Sequence, residues 1–298
     1  MKPLHIVVVT DNHYIILLAA LIKSVEENIR PSQRIIFHVI EDNIGKVLKQ
    51  KLEGSVQPEI TSLEWIPMKQ LIPAGIKLPL DRTSFPLNIY MRFFIPYLFN
   101  DDTEKVLYLD VDMIVLGDIT ALFEYEMSDY IIGAVMDPRV KTFNNSWGSI
   151  ANYAALGLDG NSPYFNSGLL LINVKKWREQ DIAKKIIQCI EENIQFANYP
   201  DQYGLNVVFA NQWLQLDARW NHFASMQAKQ PPYLIHFTER KPIYKKNYSG
   251  KPEFRELFFK YLNLSLWTNF ELINEVSRIR QKLKNVLQKL LKRFRFAC

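Results

Sequence analysis

The chain is poor in cysteine. Its 298 residues hold two, Cys189 and Cys298, far apart. That excludes a disulfide scaffold and a cysteine-rich structural zinc site. It also lacks a membrane-spanning run: the longest uncharged apolar stretch near the start, Tyr14 to Ile22, falls well short of the ~20 residues a span needs. Met-Lys-Pro leads directly into a strand-like run, without the longer apolar core and cleavage site of a signal peptide, so the body is expected in the cytoplasm. No Gly-x-Gly-x-x-Gly follows the first strand, which leaves a dinucleotide-binding unit unsupported. Internal repeats and low-complexity linkers are also missing.

One further absence is local. The last 23 residues, Val276 to Cys298, contain eight basic side chains and no acidic one. The net charge of +5 is therefore a composite. Residues 1–275 carry 28 basic against 31 acidic side chains, so the body is mildly acidic and the basic character belongs to a tail. That excludes a globally basic nucleic-acid-binding domain. Apolar residues make up 48% of the chain, with 18 Phe and 14 Tyr, enough for a large core and too many for a disordered chain.

The pattern of what is present is α/β. Ile6-Val7-Val8-Val9 stops at Thr10-Asp11-Asn12, as a buried parallel strand does. A helical stretch from about Ile15 to Glu27 follows, broken by Pro31. Ile35 to Ile40 reads as a second strand, Ile44 to Leu52 as a helix, and Ile60 to Ile66 as a third strand. This βαβαβ order predicts a parallel sheet with right-handed crossovers. Further on, Asn88 to Leu98 reads as a helix. Lys105 to Leu109, Ile131 to Met136 and Phe165 to Val174 read as strands, and Asp181 to Glu192 as a helix. The body is expected to be one domain, residues 1–262, with a basic amphipathic segment, residues 263–298, after it.

Carboxylates gather where strands end: Asp11, Asp110, Asp112 and Asp137. In open α/β sheets that edge is where ligands bind. Asp110-Val111-Asp112 has apolar residues on both sides, which favours an ordered site over a solvated loop. Two carboxylates one residue apart can turn towards one hard cation, Mg²⁺ or Mn²⁺, which keeps positions open for phosphate oxygens.

These residues resemble glycosyltransferase family 8. Val106 to Val115 (Val-Leu-Tyr-Leu-Asp-Val-Asp-Met-Ile-Val) looks like its metal-binding signature. Thr10-Asp11-Asn12-His13-Tyr14 resembles the first nucleotide-binding loop, and Tyr90-Met91-Arg92 the helix that carries a donor-contacting Arg. Tyr164 to Asn173, with Lys176-Trp177-Arg178, resembles the central motif. Pro200-Asp201-Gln202 with Leu205-Asn206 resembles the strip facing the transferred sugar, and Ile235-His236-Phe237-Thr238 with Lys241-Pro242 the closing motif. The resemblance spans about residues 4 to 262. It implies a GT-A fold, with a mainly parallel central sheet flanked by helices and a basic helical tail. It implies a metal-dependent, retaining transferase moving galactose or glucose from a UDP-sugar to a hydroxyl of a glycan or glycolipid, as in bacterial lipopolysaccharide and lipooligosaccharide assembly.

The resemblance also implies roles. Asp110, Asp112 and His236 would hold the ion, an Asp₂His set that suits Mn²⁺ (or Mg²⁺). Val9, Thr10, Asp11, Tyr14, Arg92, Asp110, Val111, Asp112 and Lys241 would bind the donor. Tyr14 would stack on uracil. Asp11 would accept from the uracil N–H, or else cap the following helix, which needs the same residue type. Gln202, Asp201, Asp137 and Asn166 would face the sugar. A neutral amide such as Gln202 is a poor nucleophile, so the acceptor hydroxyl is expected to attack on the face that UDP leaves. A diphosphate oxygen would take its proton, and the ion and Lys241 would stabilise the departing charge. Two positions depart from the family: Glu239 where Gly is common, and Ile243 where an aromatic is common. Glu239 would face the diphosphate unless it points away. His5, His38 and His222 read as packing or surface residues.

In the tail, Ile279, Leu283, Val286, Leu287, Leu290, Leu291 and Phe294 fall at helical spacing among the basic residues. Such a helix suits an anionic membrane surface, or docks on the body or on a partner. Two other functions compete with glycosyl transfer. One is a phosphatase or phosphotransferase with Asp110 as nucleophile and Asp112 as acid. The other is a non-catalytic sugar-nucleotide-binding protein.

Overall fold

A computed structural model describes residues 2–73, 76–80, 83, 85–280, 283 and 286–287. The βαβαβ start is present: β1 (Leu4–Asp11), α1 (Ile15–Asn28), β2 (Ile35–Asp42), α2 (Lys46–Glu53), β3 (Thr61–Pro67) and a single turn, α3 (Met68–Leu71). The stretch expected as a helix from Asn88 is a 3-10 helix, Leu87–Leu98, with Pro96 inside it. Proline supplies no N–H to a helical ladder, so it sits poorly in a long α-helix.

Next come β4 (Lys105–Leu109), β5 (Met113–Val115), α4 (Thr120–Phe123), β6 (Ile132–Met136) and β7 (Phe165–Asn173). The chain continues through α5 (Val174–Glu179), α6 (Ile182–Glu192), α7 (Pro200–Val208), β8 (Leu214–Gln215), β9 (His222–Phe223), β10 (Leu234–His236) and α8 (Pro252–Leu262).

Seven strands form the central sheet in the order β3-β2-β1-β4-β7-β6-β8. All run one way except β7, which pairs antiparallel with both β4 and β6. Strand side chains alternate between two apolar layers. Ile6, Val8, Leu107, Leu109, Leu169 and Leu171 pack with α1 and α8. Val7, Val106, Tyr108, Leu170 and Ile172 pack with the 3-10 helix, α5 and α6. Both faces are covered, which is why these strands read as nearly continuous apolar runs.

The chain winds outward from β1 through β2 to β3, then returns to place β4 on the other side of β1. The carboxyl ends of β1 and β4 thus flank the point where the winding reverses, the place where open α/β sheets take ligands. A second sheet, β5-β10-β9, lies beside it, with β10 antiparallel to β5 and parallel to β9. Helix α1 holds β5: Val115 N donates to Ser24 Oγ (2.8 Å), and Asn28 Nδ2 donates to Val115 O (3.1 Å).

Beyond Leu262 the chain stays on the body. Trp267 is buried in the main core, and Leu266 N donates to Ser55 Oγ at 3.0 Å. Residues 275–280 are helical, with Val276 and Ile279 exposed. Leu290, Leu291 and Phe294 of the expected tail helix, and every basic residue after Arg280, lie outside the described residues. Among the described residues no helix is long and apolar enough to cross a membrane.

Candidate active site

The ends of β1 and β4 open into a cleft of ≈ 670 Å³. Val9, Thr10 and Tyr14 line one wall, and Arg92, Asp110, Val111 and Asp112 the floor. Asp137, Asn166, Asp201 and Gln202 line the far side, and His236 and Lys241 the near side. Of the residues given donor, sugar or ion roles in the sequence, Asp11 alone is not part of this lining. Its Oδ1 accepts from His13 N (2.9 Å) and Tyr14 N (3.0 Å), which forms the turn into α1. Helix α1 has Tyr14 at its N-cap and no side-chain cap bond, so Asp11 shapes the turn before the helix and does not cap it.

Asp110, Asp112 and His236 offer ligand atoms that all lie within 4.8 Å of one another. Asp110 leaves the end of β4, with its N–H on Gly168 O at 2.7 Å. Asp112 precedes β5, and His236 ends β10, so the pairing of these two strands brings them together. His236 Nε2 stands 3.3 Å from Asp112 Oδ1 and 3.8 Å from Asp110 Oδ2. Its Nδ1 faces Asn221 Oδ1 at 2.9 Å. An amide oxygen can only accept, so Nδ1 donates to it and Nε2 is the nitrogen turned towards the two carboxylates, where an ion would take it as a ligand. Two carboxylates and an imidazole nitrogen fit a borderline-hard divalent cation.

The charges around this set are tightly matched. Burial opposes the charged form of Asp112, but the Lys241 ammonium and then His236 outweigh it and hold the carboxyl well below its usual range. Lys241 Nζ contacts Asp112 Oδ2 and donates to Phe237 O at 2.6 Å. Arg92, buried on the 3-10 helix, meets Asp110 Oδ1 and Asp201 Oδ2, each at 3.1 Å. It also donates to Ser167 O at 2.8 Å and Ser167 Oγ at 2.9 Å. Burial works against its charge, yet the carboxylates, Asp110 first, raise its pKa further. Asp201 titrates above the usual range because burial outweighs Arg92. Gly168 closes the floor. A Cβ there would stand 2.5 Å from His236 Cε1 and 2.8 Å from Asp110 Oδ2.

A polar network continues to the sugar side. Gln202 Oε1 accepts from Asn166 Nδ2 and from Ser167 N, each at 3.0 Å. Asn166 Nδ2 also approaches Asp137 Oδ2 at 3.3 Å, and Gln202 Nε2 donates to Tyr164 OH at 3.2 Å. Asp137 Oδ1 accepts from Arg139 N and Val140 N, each at 2.9 Å. Helix α7 presents Asp201 and Gln202 from its first turn, with Pro200 at its N-terminus, where proline's missing N–H costs nothing. Glu239 points away from the floor, towards Arg139 and Ser249. Burial opposes its charge, but these two partners prevail and lower its pKa. Ile243 is fully buried in the core, and its neighbour Tyr244 takes the cleft position, bonded to His13 Nε2 at 2.8 Å.

Four residues carried no site role in the sequence analysis. Asn221, fully buried, orients His236 and donates to Asn166 Oδ1 at 2.9 Å, joining the ligand set to the sugar side. Ser167 and Tyr108 hold Arg92 and Asp110. Arg278 lines the cleft from beyond α8. Ser167 and Tyr108 stood inside quoted motifs. Asn221 and Arg278 had no local pattern to announce them.

The model of the family described as glycosyl transferase family 8 matches residues 5–244. General stress protein A of Bacillus subtilis is 25% identical over 284 residues, which is 89% of this chain and 94% of that protein. Lipopolysaccharide 1,3-galactosyltransferase of Salmonella typhimurium is 26% identical over 260 residues, 83% of this chain and 74% of that one. The crystal structure of galactosyltransferase LgtC in complex with donor and acceptor sugar analogues superposes with a TM-score of 0.72 at 24% identity. It covers 88% of this chain and 96% of that chain. The fold is GT-A, a mixed α/β architecture with a largely parallel central sheet.

Proposed function

The chain belongs to glycosyltransferase family 8 and is a retaining hexosyltransferase, and from that premise we propose the following partners and roles. The donor is a UDP-hexose, galactose or glucose, and the ion is Mn²⁺. The acceptor is a hydroxyl of a cell-surface glycan of the lipopolysaccharide or lipooligosaccharide kind. The observation that carries this reading is the Asp110–Asp112–His236 set at the sheet's switch point, with Lys241 beside it and an amide-rich pocket across from it.

Asp110, Asp112 and His236 Nε2 would hold the ion. When bound, a divalent cation neutralises the diphosphate and favours the charge that gathers on it as the sugar leaves. Lys241 adds a fixed positive charge on the same side. Gln202 stands at the far side as a neutral amide whose oxygen is already engaged by two donors. It holds the sugar and makes no covalent bond to it. Asp137 and Asp201 are both engaged by donors, so the acceptor proton goes to a diphosphate oxygen, on the face that UDP vacates. Asp110 is similarly engaged by Arg92 and Tyr108, which makes it a poor phosphatase nucleophile.

The test is UDP release from UDP-galactose and UDP-glucose with Mn²⁺. Wild type should release UDP, and Asp110→Asn should lower the rate at least about 100-fold, since an ion ligand is lost. Undiminished release by that variant would refute the site.

We place the body on the cytoplasmic side, with the basic tail on anionic lipid. Because Arg278 lines the cleft, the truncation that tests this removes residues 281–298 only. Binding to phosphatidylglycerol vesicles should then be lost while UDP release persists; unchanged partition would contradict the placement.

A further inference from the structure

Arg278 sits in helical residues 275–280, past the family match that ends at 244, yet it lines the same cleft as Lys241. Backbone pairing brings it there. Ile273 N donates to Ile243 O, and Lys245 N donates to Ile273 O, each at 2.9 Å, so the returning chain bridges Tyr244 in parallel. Glu275 then accepts from Arg240 Nη1 at 2.9 Å and from Arg278 Nε at 2.7 Å.

The charges balance over the cleft as a whole but not at every point of it. Lys241 has Asp112, Arg139 has Glu239, and Arg92 lies between Asp110 and Asp201. Arg240 and Arg278 share the single carboxylate of Glu275. Around Arg278, two guanidiniums against one carboxylate leave a local excess of positive charge. The Arg278 side chain keeps 20% of its surface exposed. Its charge, anchored first by Glu275, also acts on the hydroxyls of Tyr244 and Tyr14. A guanidinium has five donors and no acceptor, and what it selects from water is phosphate or carboxylate oxygen.

We propose that Arg278 is a donor-binding residue: the C-terminal segment, strapped to the body through Ile273 and Glu275, lays its guanidinium on the diphosphate of the nucleoside diphosphate sugar. The inference rests on the reading of the cleft as a UDP-sugar site. It moves the functional boundary of the enzyme to at least residue 280.

The experiment titrates UDP and uridine, each with Mn²⁺, into full-length wild type, Arg278→Ala and Arg278→Lys by calorimetry. Arg278→Ala should raise the Kd for UDP about tenfold, the effect of one lost charge-assisted hydrogen bond. It should leave uridine binding unchanged, and Arg278→Lys should restore part of the loss. Melting temperature reports that each variant is folded. UDP binding by Arg278→Ala at the wild-type Kd would overturn the inference, and so would an equal loss for uridine, which lacks the diphosphate. If wild type itself binds no UDP, the reading of the cleft fails, and this inference falls with it.

Discussion

At the scale of single residues, Gly168 sets a tight constraint on the site. It is tied to its site by proximity: the absent side chain is what lets Asp110 and His236 approach each other across β7. Gly168→Ala would drive a methyl group into both ligands. Displacing reacting groups by ~1 Å costs about 100-fold in rate, and overpacking costs roughly 1–3 kcal/mol in stability. We therefore expect UDP release to fall about 100-fold, with a matching loss of Mn²⁺ affinity by calorimetry. Release within twofold of wild type would show that the floor relaxes freely. Asn221 illustrates the opposite case. Its role depends on two side-chain contacts, to His236 and Asn166, that tie the turn before β9 to β10 and β7. A lone Asn gives no periodic or spaced signal, so its role emerges only with the fold.

At the scale of elements, the early strands were legible because burial on both faces writes them as apolar runs ended by acids and amides. Of the three-residue strands, β5 was not legible, and β10 was legible only as the strand-like run Tyr233 to Ile235 before His236. They are too short for any period, and the long-range pairing of Met113 with His236 defines them. Helix α7 did carry a local signal, Pro200 at its start and Asp201 in its first turn, which a reading for chemistry alone passed over.

The β1–β2 pair also carries a pH-dependent weakness, away from the cleft. His38 packs against His5 and Phe99, and its Nδ1 meets the exposed Glu64 at 2.9 Å. Burial, with His5 adding, lowers its pKa from 6.5 to about 4. The folded state therefore binds fewer protons than the unfolded state between these values, and stability declines as pH falls through that window, while it is flat above pH 7 on this account. The full loss amounts to about 3 kcal/mol. Urea unfolding of wild type and His38→Gln from pH 7 to pH 4 checks the sign: the variant should show the shallower decline, and parallel curves would contradict it.

At the scale of the whole molecule, the net charge of +5 belongs to no single part. The acidic-leaning body carries the site, and the basic tail supplies at least Arg278 to its mouth. The ligand set is divided as well: Asp110 extends from the seven-stranded sheet, Asp112 and His236 from the three-stranded one. A bound cation would thus join two separately hydrogen-bonded sheets. At 100 times its Kd, a ligand of the native state adds about 2.7 kcal/mol, which for a chain of this size raises Tm by about 5 °C. Mn²⁺ should produce that rise and EDTA reverse it in wild type, and Asp112→Asn should show neither. An equal shift in the variant would place the ion elsewhere.

The division has a consequence for how distant substitutions act. Strand β5 is held by Ser24 and Asn28 of α1, and β5 in turn fixes where Asp112 stands. An ion held by Asp110, Asp112 and His236 would have an affinity that follows the placement of β5 against the central sheet. A change at Ser24, which touches no ligand, would register as an altered metal Kd, and by thermodynamic reciprocity the bound ion would tighten the grip of α1 on β5 by the same factor.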